Sequence, residues 1–209
     1  MTVEDSETIL FYHNPRSRAQ MVHWMLEEVG APYEILPIEF GQGEHKTPEF
    51  LALNPMGKLP TIVHRGTVVT ETGAIIAYLA DAFREAGLAP ALDDPRRGTW
   101  LRWMFFAGTC FEPALLDTML KRPPAEPKTI VGYGSYEDVL KALETMLDPG
   151  PYILGEEFSA ADVYVGAEIS WAMSFGAPGL KGNPLFDAYV ARITDRPAYR
   201  RSIGADAAA

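Results

Sequence analysis

The chain has a single cysteine, Cys110. That excludes a disulfide framework, a CxxC redox pair and a cysteine-rich zinc site. Positive charge is scarce: 18 Lys and Arg stand against 28 Asp and Glu, for a formal net charge of -10. Nucleic acid and anionic membrane surfaces both require a basic face, so neither is expected as a partner. No apolar run reaches the ~18 residues needed to span a bilayer. The first residues are acidic and lack the basic and apolar regions of a secretory signal, so the protein is expected in the cytoplasm. The four histidines, His13, His23, His45 and His64, match no tight ligand spacing, and no metal is expected.

What is present suffices for a folded core. The 209 residues are 47% hydrophobic, enough for one large domain or two small ones. The first part alternates strand and helix signals. Ile9–His13 is β-branched and aromatic and stops at Asn14-Pro15, a turn signal. From about Ser17 to Val29 the residues Met21, Trp24, Met25 and Val29 share a helical face, and Gly30 ends the helix. Tyr33–Ile38 reads as a strand, with Pro37 marking an edge or its end. A loop with a short helix follows, then two strands around Arg65-Gly66, then a helix over residues 71–83. The order is βαβ, then αββα.

Residues 87–97 carry Pro90 and Pro95 among small and charged residues and read as a linker. Only helices follow. A long one is expected from Trp100 to about Leu120, kinked or broken at Pro113. Residues 121–134, with Pro123, Pro124 and Pro127, form a loop. An amphipathic helix covers 136–147, and a nearly all-apolar, buried central helix covers 160–175. Shorter helices complete the chain, and the tail from Ala205 is expected to fray.

Three short segments could carry chemistry. Ser17 stands at the start of the first helix, where unpaired N–H groups and the helix dipole favour negative charge. It is either an ordinary cap or a donor to an anion. Lys58-Leu59-Pro60 precedes a strand, and Pro60 is a plausible cis site. A cis bond there would turn the Leu59 N–H and C=O toward a bound peptide; otherwise Pro60 is a turn proline. Thr70-Glu71-Thr72-Gly73 opens another helix. It is either a capping segment or a pocket for an amino-acid head group, with Glu71 on the ammonium and Thr72 and the helix N-terminus on the carboxylate.

The order and spacing of these pieces resemble the cytosolic glutathione S-transferase family. They are a hydroxyl after the first strand, Asn54-Pro55-Met56-Gly57-Lys58-Leu59-Pro60, and Glu71-Thr72-Gly73-Ala74-Ile75. Phe158-Ser159-Ala160-Ala161-Asp162 resembles the family's motif at the start of its buried helix, and reads physically as a capping box. The stretch around His45 is similar to theta- and delta-related members. The resemblance implies a thioredoxin-like α/β domain with a four-stranded mixed sheet over residues 1–86, the linker 87–97, and an all-α bundle over 98–209. Glutathione would be a substrate rather than a cofactor, and no other cofactor is implied. Its γ-glutamyl end would meet Glu71 and Thr72, its cysteine would pair with Leu59 beside Pro60, and its glycine carboxylate would lie near Lys58 and His45. Lys58 and His45 could equally be solvated loop residues.

The implied activity is that of a detoxifying enzyme. Ser17 would hold the glutathione sulfur as a thiolate, unless Arg16 or Arg18 faces it instead. The thiolate would attack an apolar electrophile in a pocket lined by Trp103, Phe106 and Cys110, which share a helical face; that face could also be core, and Cys110 a packed core cysteine. No cysteine stands at the helix start, which excludes glutaredoxin-like catalysis by a protein thiol. The alternatives are a glutathione-dependent peroxidase or reductase, and a non-catalytic binding or interaction protein of the same fold. A homodimer is implied by the family alone.

Overall fold

The computed structural model of the protein describes residues 7–206. The described residues fall into two compact units. One runs up to Ala86 and takes in the chain again from Arg196 onward; the other is Gly87–Asp195.

The first unit is built on a four-stranded sheet of order β2-β1-β3-β4: β1 (Ile9–His13), β2 (Tyr33–Pro37), β3 (Thr61–His64) and β4 (Thr67–Thr70). β2 runs parallel to β1, and β3 and β4 follow antiparallel to their neighbours. Along β1 the residues Ile9, Phe11 and His13 are buried, the period-two pattern of a strand with one face in the core. α1 (Ala19–Val29) joins β1 to β2 and ends on Gly30, whose φ of 65° lets its N–H reach back to the Leu26 carbonyl. α2 (Pro48–Leu53) starts with Thr47 accepting the Phe50 N–H, and α3 (Thr72–Ala82) closes the βαβαββα order.

α1 is buried nearly all round, from Met21 through Leu26. The sequence pattern marks only one face because the cover on the other comes from the far end of the chain. α9 (Pro197–Arg201) and α10 (Ile203–Asp206) pack on α1. Tyr199 stands edge-on to Trp24 at 5.1 Å. Arg196 grips the Glu28 carboxylate with two bonds of 2.6 and 2.7 Å, and the Trp24 indole N–H donates to the same carboxylate at 2.8 Å. Arg201 donates to Glu27 at 2.5 Å. The assignment of residues 98–209 to one helical domain therefore differs from the observed grouping. Of the tail expected to fray, Ala205 and Asp206 are helical, and the rest lies outside the described residues, as do residues 1–6.

The second unit is helical: α4 (Arg96–Phe106), α5 (Glu112–Met119), α6 (Tyr136–Leu147), α7 (Ala160–Ser174) and α8 (Pro184–Thr194). The long helix expected from Trp100 is interrupted by a π-helical turn, Ala107–Phe111, in which the Glu112 N–H bonds the Ala107 carbonyl. The turn lies just before Pro113, which has no N–H to continue a regular ladder. α7 is the central helix and is buried from Ala160 to Ile169. Its start is fixed by Asp162, whose carboxylate accepts Ser159 N–H, Ser159 Oγ–H, Ile153 N–H and the Tyr189 hydroxyl at 2.9–3.0 Å. No helix among the described residues is long and apolar enough to cross a membrane.

Candidate functional site

The strand pairing brings the candidate residues of the first unit to one end of the sheet. His13 pairs with Pro37, Tyr12 with Thr61, and Thr61 with Thr70. The segments after β1, after β2, before β3 and after β4 therefore leave the sheet at the same end. They carry Ser17, His45, Lys58-Leu59-Pro60 and Glu71-Thr72 respectively.

Ser17 lies in the turn between β1 and α1 rather than in the helix, which begins at Ala19. Its hydroxyl donates to the Asn14 carbonyl at 2.8 Å and accepts the Ala19 N–H at 3.1 Å. Arg16 is exposed and Arg18 half-buried.

The peptide bond between Leu59 and Pro60 is cis. Neither the N–H nor the C=O of Leu59 bonds to another described residue. Lys58 is exposed, while its carbonyl accepts from Asn54 Nδ2 and Thr61 Oγ. His45 is half-buried against the Phe40 ring at 5.0 Å, and its Nδ1 is shut off from solvent without a hydrogen-bond partner. The neighbouring Lys46 ammonium donates to the Met56 carbonyl at 2.9 Å, joining the His45 segment to the turn before β3. That approach requires glycine at 57, where a Cβ would stand 2.6 Å from the His45 carbonyl oxygen.

Glu71 precedes α3 with φ 68° and ψ 120°, a conformation unusual for any residue but glycine. It is exposed and makes no capping bond to the helix, so a role as a simple cap does not account for it. Its carboxylate has no hydrogen bond or ion pair among the described residues. Thr72 begins the helix itself.

The residues expected to line an electrophile pocket divide differently. Trp103 is buried in the helical unit with Ala107 and Phe111, under the Arg102 guanidinium at 4.4 Å. Phe106 and Cys110 are half-buried. The π turn adds a residue between them, so the face that a regular helix would give to Trp103, Ala107 and Cys110 is split. Cys110 Sγ lies 3.8 Å from the Gly132 carbonyl, against the loop after α5, and is not in the core.

Among the described residues no three His, Cys, Asp or Glu side chains gather as a metal site. Asn14 and Asn54 escape a reading based on charge or nucleophilicity, yet both are buried within the site's turns. The signal for them is in the sequence: each begins an Asn-Pro pair.

Comparison with known proteins agrees with this arrangement. The family described as Glutathione S-transferase, N-terminal domain, matches residues 6–81. Glutathione S-transferase F14 of Arabidopsis thaliana is 30% identical over 193 residues, covering 85% of this chain and 76% of the relative. The chain belongs to the glutathione S-transferase family. Among solved structures, a glutathione transferase from Methylococcus capsulatus is 28% identical, covers 96% of this chain and 100% of its own, and superposes with a TM-score of 0.79. A family member from Pseudomonas fluorescens, solved with two glutathione bound, is 26% identical over 94% of this chain and 92% of its own, with the same TM-score of 0.79. The family is thus established over most of the chain, and the fold class with it.

Proposed function

We propose that this glutathione S-transferase family member binds glutathione along the end of its sheet and holds the thiol as a thiolate for attack on an apolar electrophile. The observation that carries this reading is the convergence of Glu71, Leu59 and the Ser17 turn at one sheet end. Glu71 supplies an unpaired carboxylate for the γ-glutamyl ammonium, beside the N–H groups of the α3 N-terminus for the carboxylate. Leu59 offers one N–H and one C=O, the pattern by which an extended peptide adds as a strand. Lys58 and His45 are cations or donors for the glycine carboxylate. Glutathione bound in the solved Pseudomonas fluorescens relative supports the same ligand.

A free thiol has a pKa of about 8.5, and the thiolate is the nucleophile. Lowering the pKa by ~2 units takes ~2.7 kcal/mol of preferential thiolate stabilisation. The Ser17 hydroxyl and the N–H groups that open α1 supply donors for this. The thiol proton goes to solvent; a sulfur–carbon bond then forms as the electrophile's leaving group departs. Phe106 and Cys110 remain candidates to line the electrophile pocket, and Trp103 serves the core of the helical unit.

The test is calorimetric titration with glutathione, with the thiolate ultraviolet absorbance of the complex followed across pH. Ser17→Ala should keep glutathione binding, raise the thiol pKa, and lower turnover of an activated aryl halide about 10- to 100-fold, the worth of one hydrogen bond to a charged group. Unchanged thiolate formation in Ser17→Ala would remove Ser17 from the mechanism. Binding without thiolate in the wild type would indicate a carrier, and no binding at millimolar glutathione an interaction protein. Hydroperoxide and disulfide substrates in the same assay separate conjugation from reduction. Gel filtration tests the homodimer.

A further inference from the structure

Two turns at the end of the sheet are built on the same four-residue device. In Asn14-Pro15-Arg16-Ser17, Asn14 Oδ1 accepts the Arg16 N–H at 2.9 Å and the Asn14 carbonyl accepts the Ser17 N–H at 3.1 Å. In Asn54-Pro55-Met56-Gly57, Asn54 Oδ1 accepts the Met56 N–H at 3.1 Å and the Asn54 carbonyl accepts the Gly57 N–H at 2.8 Å. Each side-chain NH₂ then donates to a carbonyl outside the turn's hydrogen-bonded ring. Asn14 reaches Ile38 at 2.7 Å, just past β2, and Asn54 reaches Lys58 at 2.9 Å. The two asparagines are only 6% and 3% exposed. The fourth position distinguishes them. Gly57 has no side chain, whereas Ser17 donates its hydroxyl to the same Asn14 carbonyl that holds its N–H.

We propose that Asn14 is a positioning residue for thiol activation, its buried amide fixing the carbonyl that holds the Ser17 hydroxyl proton until a thiolate takes that carbonyl's place. This rests on the reading of Ser17 as the thiolate's donor. A hydroxyl has one proton and cannot give it to the Asn14 carbonyl and to sulfur together. Rotation about the Ser17 Cβ–Oγ bond redirects the proton while Oγ stays on the Ala19 N–H. The Asn14 carbonyl is not stranded, because the Ser17 N–H remains on it. The exchange therefore trades a neutral hydrogen bond for a charge-assisted one and leaves no buried acceptor unpaired. It stays confined to one hydroxyl only if the carbonyl does not move. The bonds from Asn14 Nδ2 to Ile38 and from the Arg16 N–H to Oδ1 hold it still. Asn54 does the same for Lys58-Leu59, which face the peptide part of glutathione rather than its sulfur.

The two devices predict opposite phenotypes. The probes are glutathione, through the pH midpoint of thiolate absorbance, and S-methylglutathione, which has no thiol, through its calorimetric affinity. Asn14→Ala should raise the thiolate midpoint by about one pH unit, a loss of about tenfold in thiolate at pH values below it, while S-methylglutathione affinity stays within about twofold. Asn54→Ala should weaken S-methylglutathione about tenfold and leave the midpoint in place. Asn14→Ser keeps an oxygen for the Arg16 N–H and loses only the reach to Ile38; it should shift the midpoint the same way by less, and it carries the test should Asn14→Ala not fold. A folded Asn14 variant with the wild-type midpoint overturns the proposal. So does one in which midpoint and S-methylglutathione affinity change together, the mark of general damage to the site. Failure of the Ser17 reading is distinguishable, because it appears as unchanged thiolate formation in Ser17→Ala, whatever the Asn14 variants do.

Discussion

Glu71 carries the most unusual backbone conformation of the candidate site. A side-chain-bearing residue at φ 68° costs on the order of 1–3 kcal/mol, and such residues persist where the surroundings over-determine them. Here Thr70 is pinned to Thr61 in the sheet on one side and α3 begins on the other. Glu71→Gly relieves the strain, partly offset by the greater freedom of glycine in the unfolded chain. It should stabilise the protein by about 1 kcal/mol in urea unfolding while weakening glutathione at least about tenfold by loss of the ion pair to the ammonium. A Glu71→Gly protein that binds glutathione as the wild type does would remove Glu71 from the site. The identity of this residue, of Leu59 and of Ser17 is legible from spacing, because each occupies a fixed place in a motif. The positive φ and the hydroxyl's partner are not. Both are set by strand register and by a carbonyl three residues back, which residue type does not encode.

At the level of elements, legibility followed the locality of the forces. α6 spans Tyr136–Leu147 as its periodicity predicts, because Ser135 caps it through the Asp138 N–H and its apolar stripe packs within the unit. The helix from Trp100 is interrupted next to Pro113 as expected, but the form of the break is not legible, because the π turn answers a proline whose effect on register has no periodic signature. α7 is the strongest case of a sequence motif with a structural cause. Asp162 takes four donors, and two of them, the N–H groups of Ser159 and Ile153, cannot reverse. Asp162→Asn keeps the shape but turns an NH₂ toward one pair of those donors. An unsatisfied buried donor costs about 1–3 kcal/mol, and a broken charged network more, so the variant should lose about 2–4 kcal/mol in urea unfolding at neutral pH. A loss below about 0.5 kcal/mol would mean that α7 does not depend on this cap.

Over the whole molecule, charge pairs distant in sequence close what local patterns leave open, as Arg196 and Arg201 do on α1, and proton linkage gives each unit its own response to acid. In the sheet unit, His64 is 1% exposed, with Nδ1 2.9 Å from the Tyr78 hydroxyl and Nε2 4.0 Å from the Glu7 carboxylate. Burial first, then the Arg65 charge, hold its pKa below the ordinary 6.5 against the opposing pull of Glu7. The folded ring stays neutral where the unfolded one takes a proton, so this contribution to stability is present above pH 6.5 and is lost as pH falls through the lowered folded value. In the helical unit the sign reverses. Burial pushes the Asp162 carboxyl up to about 6 against its four donors. The folded state then binds a proton before the unfolded one does, and stability is gained as pH falls through that value. The Ser159 and Tyr189 hydroxyls can accommodate the added proton by turning to accept it. Between pH 7.5 and 5 the two effects oppose each other, each with a limiting slope of about 1.4 kcal/mol per pH unit. His64→Asn, which keeps a side-chain oxygen for Tyr78, should remove the loss, so its urea midpoint rises toward pH 5 relative to the wild type. Asp162→Asn should remove the gain and fall more steeply. Parallel wild-type and His64→Asn curves across that range would show that the ring titrates alike in both states, and that its burial does not set the acid limit of the sheet unit.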